Sequence, residues 1–104
     1  MLKNLFDLEN IKRKVDAIKE ELKNEKISSE SGGGMVKVEA NGFGEILKLE
    51  IEDELLKEQD KTLLEDLIIS AVNMSKEKSK DLFQKKMQEA VGFLPIDGIQ
   101  DLIP

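Results

Sequence analysis

Two runs of alternating apolar and polar residues, set back to back between two long charged stretches, constrain this chain more than any other feature. Val36, Val38 and Ala40 alternate with Lys37 and Glu39, and Leu47, Leu49 and Ile51 alternate with Lys48 and Glu50. Period-two alternation is the pattern of a strand with one face buried. Asn41-Gly42 stands between the runs, and because both residues tolerate positive φ the pair predicts a hairpin. Ahead of the first run, Ile27-Ser-Ser-Glu-Ser31 is polar but compatible with a strand, and Gly32-Gly33-Gly34 predicts a flexible turn. After the second run, Asp53-Glu-Leu-Leu56 predicts a turn or a short helix.

The flanking stretches read as helices. Leu8, Ile11, Val15, Ile18 and Leu22 are spaced 3, 4, 3 and 4, a single apolar stripe close to a heptad seam. No Gly or Pro occurs between Met1 and Lys26, so one helix is predicted through most of that span. A stripe this narrow packs along one line, either on its own sheet or on a partner. Lys12, Lys19 and Lys26 fall in a line beside the seam, Lys23 stands one turn from Lys19, and Arg13 points farthest away. On the far side of the strands, Asp60 is placed to cap a helix whose Leu63, Leu64, Leu67, Ile68, Ala71 and Val72 make a broad face to cover the sheet. That face then stops. Met74 is the only apolar residue from Asn73 to Asp81, and Leu82, Phe83, Met87 and Val91 return rotated by about a quarter turn or more. A helix of about 30 residues is roughly 45 Å long, more than short strands can cover, so its second half must meet something else. Gly92 and Pro95 end it.

These elements predict an α+β, two-layer α-β-β-β-α fold with a three-stranded antiparallel sheet, as a single domain over residues 1–91 followed by an apolar tail, 92–104, that includes Ile96, Ile99, Leu102 and Ile103. Ile11, Val15, Ile18, Leu22, Val36, Val38, Leu47, Leu49 and Ile51 are assigned to the core or to a dimer interface. With 104 residues, and four Phe as its whole aromatic complement, the chain has a small core of Leu, Ile and Val that a second copy would enlarge.

The same composition narrows the chemistry. There is no Cys and no His, hence no disulfide framework and no thiolate metal site, which suits a reducing cytoplasm. Lys3, Asn4 and Asp7 interrupt any signal-peptide core, and no run approaches the roughly 20 apolar residues of a membrane helix. A general base would have to be Asp, Glu or Lys. Ser75-Lys-Glu-Lys78 matches a short acyl-transfer pattern but lacks its partner motifs, and is predicted to be an exposed helix face. The three glycines lead into a strand, not a helix N-terminus, and no Gly-Lys-Ser/Thr follows, so they make no phosphate cradle. Glu52, Asp53, Glu54, Glu58 and Asp60 lack calcium-loop spacing and read as a solvated acidic face. No enzymatic activity, cofactor, metal, membrane or small-molecule substrate is expected.

Several motifs occur together in a fixed order: Glu30-Ser-Gly-Gly-Gly-Met-Val-Lys-Val38, then Asn41-Gly42, then Ile51-Glu-Asp-Glu-Leu-Leu56, then Leu64-Glu-Asp-Leu-Ile68 and Ala71-Val-Asn73. In this order and spacing, from the first helix to about residue 91, the chain resembles the YbaB/EbfC family of bacterial nucleoid-associated proteins. It departs from the family at Met74, where an Asp is common, and in a tail without the usual Met/Gly-rich ending. The resemblance implies an α-β-β-β-α core and a homodimer shaped like tweezers, with helices projecting from a central body. It implies a cytoplasmic, nucleoid-located protein that binds double-stranded DNA and influences chromosome organisation and gene expression.

The charge distribution allows such a partner. The net charge is −6, but residues 1–26 carry seven basic and six acidic groups, residues 27–66 four and eleven, and residues 67–104 five and five. A polyanion could therefore meet the ends and be repelled by the middle. The candidate phosphate contacts are Lys12, Arg13, Lys19, Lys23 and Lys26 on the first helix. On the overhanging half of the last they are Lys76, Lys80, Lys85 and Lys86, with Lys78 beside them. Pairs such as Lys12–Asp16 and Asp81–Lys85 are spaced to interact along a helix. Asp16, Glu20, Glu77 and Asp81 would repel a backbone laid along a whole helix, which favours contact at helix ends or between two dimer-related arms. With one Arg in the chain, bidentate reading of guanine is scarce, and phosphate-dominated, salt-dependent binding of low sequence selectivity is expected. A second function, an adaptor beside recombination, repair or replication proteins, is motivated by the acidic net charge, the apolar tail and the rotated patch near Phe83.

Overall fold

The alternating runs form the strands they predict. The computed structural model describes residues 8–92, the side chain of Val91 excepted. In order they form α1 (Leu8–Asn24), β1 (Ile27–Ser31), β2 (Val36–Ala40), β3 (Ile46–Ile51), α2 (Asp53–Lys57) and α3 (Lys61–Val91). The expected extension of the first helix ahead of Leu8, the tail Phe93 to Pro104 and the apolar role of Val91 lie outside the described residues. The sheet is antiparallel in the order β1-β2-β3. Val36 and Val38 bury against α3 with Leu55 and Ala71, and Leu63, Leu64, Leu67, Ile68 and Val72 pack round them. On the other face Glu30 stands opposite Lys37, Lys37 opposite Glu50, and Glu39 opposite Lys48. Opposite charges on neighbouring strands attract, so that face largely neutralises itself.

β1 has little apolar surface, and it holds α3 through hydroxyls instead. Ser29 Oγ donates to the Ala71 carbonyl at 2.8 Å, and Ser31 Oγ donates to the Leu67 carbonyl at 2.6 Å. Two residues along a strand advance about 7 Å and one helical turn about 5 Å, so alternate strand residues meet successive turns of the helix. Farther along, Ser79 Oγ donates to the Asn41 carbonyl at 2.8 Å. Ser75 is fully buried, with its hydroxyl on the Val72 carbonyl at 2.8 Å. Within the Ser75–Lys78 stretch, Lys76, Glu77 and Lys78 are exposed as the sequence predicts, and Ser75 alone departs from that expectation. Small serines let α3 lie close to the sheet where bulkier side chains would hold it off.

The hairpin also differs from its prediction. Neither Asn41 nor Gly42 adopts positive φ; within this turn that conformation falls on Gly44, at +81°. The Asn41 side chain shapes the turn, its Oδ1 accepting from the Phe43 N–H at 2.9 Å and the Glu45 N–H at 3.1 Å. Gly42 is needed for close approach: its N–H donates to the Leu22 carbonyl at 2.8 Å, and a Cβ there would sit 2.7 Å from that oxygen. Gly42→Ala is expected to destabilise the protein by about 1–3 kcal/mol, the usual cost of overpacking. Its thermal midpoint should fall by several degrees, whereas Gly33→Asn, at φ +65° with nothing within 4 Å, should change it little. An unchanged midpoint in Gly42→Ala would mean that the turn does not seat on α1. The three glycines form a tight single turn with φ of +59°, +65° and +95°, which a chain of larger residues would strain to follow.

Of the two alternatives expected from its narrow stripe, its own sheet or a partner, α1 does not take the first: its stripe packs on α3. Val15 and Leu22 bury against Phe83 and Met87, joined by Ile11, Ile18, Phe43, Leu82 and Ala90. The overhanging half of α3 is thus met by α1, and the rotated apolar patch is their seam. Leu8, at the head of the stripe, stays exposed. Asp60 caps α3 as predicted, its Oδ1 accepting from the Leu63 N–H at 3.0 Å. Among residues assigned to core or dimer interface, Val15, Leu22, Val36 and Val38 are buried, and Ile11, Ile18 and Ile51 are half-buried. Leu47 and Leu49 remain 52% and 45% exposed because α3 lies mainly over β1 and β2 and leaves this part of β3 open.

Candidate nucleic-acid interface

The antiparallel pairing of α1 with α3 makes an arm with two unlike flanks. On one flank Lys86 pairs with Glu21 across the helices. That hydrogen bond, with the charges of Glu21, Glu25 and Glu89, holds the Lys86 ammonium above the ordinary lysine range. At about 100° per residue, with the seam residues facing inward, Lys12, Lys19 and Lys23 of α1 fall on the opposite flank. Lys76 and Lys80 of α3 fall on that same opposite flank. Glu21 level with Lys86 sets Lys23 level with Gln84, and Lys80 then continues the line past the end of α1. Lys12, Lys19, Lys23, Lys80 and Lys76 follow one another at intervals of roughly 6–10 Å along the arm. Among the described residues no carboxylate lies within ion-pair distance of any of the five. Lys76 Nζ reaches the Gly44 carbonyl at 3.4 Å. Asp16 and Glu77 lie farther round their helices, at the margins of this strip.

The structure thus separates the basic residues that the sequence grouped by helix. Arg13 points outward, its guanidinium 3.9 Å from Glu9. Lys26 lies beyond the end of α1 and pairs with Glu39 of the sheet at 3.5 Å. Lys85 turns away from α1, and Lys86 is engaged by Glu21 on the other flank. Lys78 donates to the Ser28 carbonyl at 2.8 Å, beside the β1 edge. The predicted pairs Lys12–Asp16 and Asp81–Lys85 do not form, and Lys12 makes no ion pair among the described residues. Reading each helix alone could not separate these flanks, because they are defined by which face of α1 meets which face of α3.

A second surface bears on assembly. Register places Leu49 opposite Val38 and Ile51 opposite Val36, and a bulge sets Ile46 opposite Ala40. Residues opposed across strands share a face, so these apolar side chains of β3 point to the helix side, where Ile51 packs against the core but Ile46, Leu47 and Leu49 stay exposed among the described residues. Ile69 adds a 56% exposed side chain on the flank of α3 nearest β3.

This fold and order of elements can be set beside known proteins. A model of the YbaB/EbfC DNA-binding family matches residues 1–94. The chain belongs to this family. A nucleoid-associated protein of Sulfurihydrogenibium sp. is 48% identical over 89 residues, covering 86% of this chain and 80% of the relative. Another, from Pelotomaculum thermopropionicum, is 36% identical over 99 residues, covering 95% and 94%. The crystal structure of an uncharacterized protein from Helicobacter pylori matches with a TM-score of 0.68 at 35% identity, covering 77% of this chain and 82% of the other. For a YbaB/EbfC chain, the two surfaces that stand out are the lysine flank of the arm and the uncovered face of β3. The Ser29, Ser31 and Ser79 contacts that orient the arm were not singled out in the sequence. The period-two spacing of Ser29 and Ser31 was the available signal.

Proposed function

We propose that this protein binds double-stranded DNA as a homodimer, seating phosphates along Lys12, Lys19, Lys23, Lys80 and Lys76 of each arm. Through that contact it would act in the nucleoid on chromosome organisation and gene expression. Family membership and the nucleoid-associated relatives support DNA as the partner. The observation that carries the residue assignment is the flank of five lysines without a carboxylate partner among the described residues, while the sheet's outer face neutralises itself. Phosphate contacts position a protein without reading sequence. Low selectivity follows from the side chains at hand: the chain's single Arg points outward beside Glu9, and no His is present. The dimer rests on the apolar face of β3, which a second copy could cover by an isologous contact. One copy's Leu82, Phe83 and Met87 are used within its own arm, which takes that patch away from the adaptor reading.

Lysine acetylation with a small reagent, read by mass spectrometry with and without duplex DNA, tests the assignment. Lys12, Lys19, Lys23, Lys76 and Lys80 should be protected by DNA, and Lys57, Lys61 and Lys85 should stay reactive. Protection centred on Lys57 and Lys61 would place the DNA on the wrong end of the molecule for this proposal.

A further inference from the structure

At the inner end of the lysine flank, the β2–β3 turn and α3 enclose a cleft of about 280 Å³. Phe43 and Phe83 line it, two of the four aromatic residues of the chain, with ring centroids 5.7 Å apart and planes tilted by 58°. Lys76 and Lys80 stand one helical turn apart on its rim, and Gln84 completes the α3 side. The turn that presents Phe43 is held on three sides. Asn41 Oδ1 binds the Phe43 N–H, Ser79 Oγ binds the Asn41 carbonyl, and the Gly42 N–H binds Leu22.

We infer that this cleft receives one unpaired nucleobase of bound DNA; this rests on the DNA-binding reading above. The two requirements of a nucleotide are met side by side. Its phosphate answers Lys76 and Lys80, like charges one turn apart that have no carboxylate within ion-pair distance among the described residues. Its base answers the half-buried Phe43 ring, which the buried Phe83 backs from the seam, since any base can stack on an aromatic side chain without regard to sequence. The Gln84 amide offers a donor and an acceptor to a base edge. The volume is at the small end of ligand pockets, roughly 300 Å³, which suits one base and not a larger ligand. The protein would then favour DNA with a base out of the stack, while the arms still hold paired DNA by its phosphates.

Three duplexes of one sequence separate the possibilities with the intact chain: fully paired, with one extra unpaired 2-aminopurine, and with one extra abasic residue at the same place. The 2-aminopurine duplex should bind about fivefold or more tighter than the other two, the low end of what one stacked base contributes. Its emission should change on binding, and the preference should be lost in Phe43→Leu. Equal, salt-dependent binding of all three would overturn the cleft and leave the DNA-binding reading standing. An abasic duplex bound as tightly as the 2-aminopurine duplex would assign the preference to DNA deformability and overturn the cleft as well. Failure to bind any duplex would overturn both. The comparison of base with abasic residue needs no variant, so it holds even if Phe43→Leu fails to fold.

Discussion

Replacing Lys12, Lys19 and Lys23 together with Gln should reduce affinity for duplex DNA by about a thousandfold at low salt, with the fold unchanged. Each phosphate contact on duplex DNA contributes about 0.9 to the slope of log affinity against log salt, so the share of affinity owed to six contacts falls about a thousandfold from 50 to 200 mM and is at least that large at 50 mM. Three lysines in each of two protomers make those six. The slope should fall by about 5 in the triple variant. Lys76→Gln with Lys80→Gln should remove a further share, because both lie on the same flank. Arg13→Gln with Lys85→Gln should leave affinity within about twofold, since both side chains point away from that flank. Fluorescence anisotropy on one labelled duplex measures all three variants. Equal losses in the Arg13/Lys85 variant and the Lys12/Lys19/Lys23 variant would show that charge alone matters and that the flank has no special standing.

Leu47→Glu combined with Leu49→Glu should convert the protein to a folded monomer. Both leucines are about half exposed in one chain, so a single copy tolerates the charges. In an isologous interface each change counts twice, and four half-exposed leucines, each worth roughly 1 kcal/mol on burial, give about 4 kcal/mol before any cost of burying charge. That corresponds to about a thousandfold or more in dimer dissociation. Sedimentation equilibrium reads the mass, and circular dichroism checks that the helices persist. Val38→Glu makes the contrast: Val38 is only 2% exposed within one chain, so a charge there should unfold the protein. A dimer that survives both leucine changes would put the interface on another surface. The monomer should also bind DNA more weakly, because one arm replaces two.

Much of this fold could be read from local pattern, and what could not be read depended on contacts between distant segments. β2, β3 and both long helices follow from apolar periodicity, and the Asp60 cap follows from residue type. Asn41-Gly42 marked the right place for the turn by the wrong mechanism, because the demand on Gly42 comes from Leu22, about 20 residues away in sequence. Ser75 and Ser79 looked like part of a polar helix face, but their small side chains and hydroxyls suit a helix pressed against a sheet. The overhang of α3 could be inferred from its length, yet its partner could not, since the α1 stripe fitted a sheet or a second copy equally well. The lysines show the same limit. Their positions round each helix were legible, but only the Glu21–Lys86 side of the arm tells which lysines share a flank.

The central claim is that phosphate charge, read by lysines on paired arms, governs binding. Anisotropy of the intact protein with two labelled duplexes of unrelated sequence, titrated over a range of salt, tests it most directly. Similar affinities for both, falling along straight lines in log salt with a slope approaching −9 for about ten lysines in a dimer, are the predicted result. Binding confined to one sequence, a flat salt dependence, or no binding at low salt would contradict it.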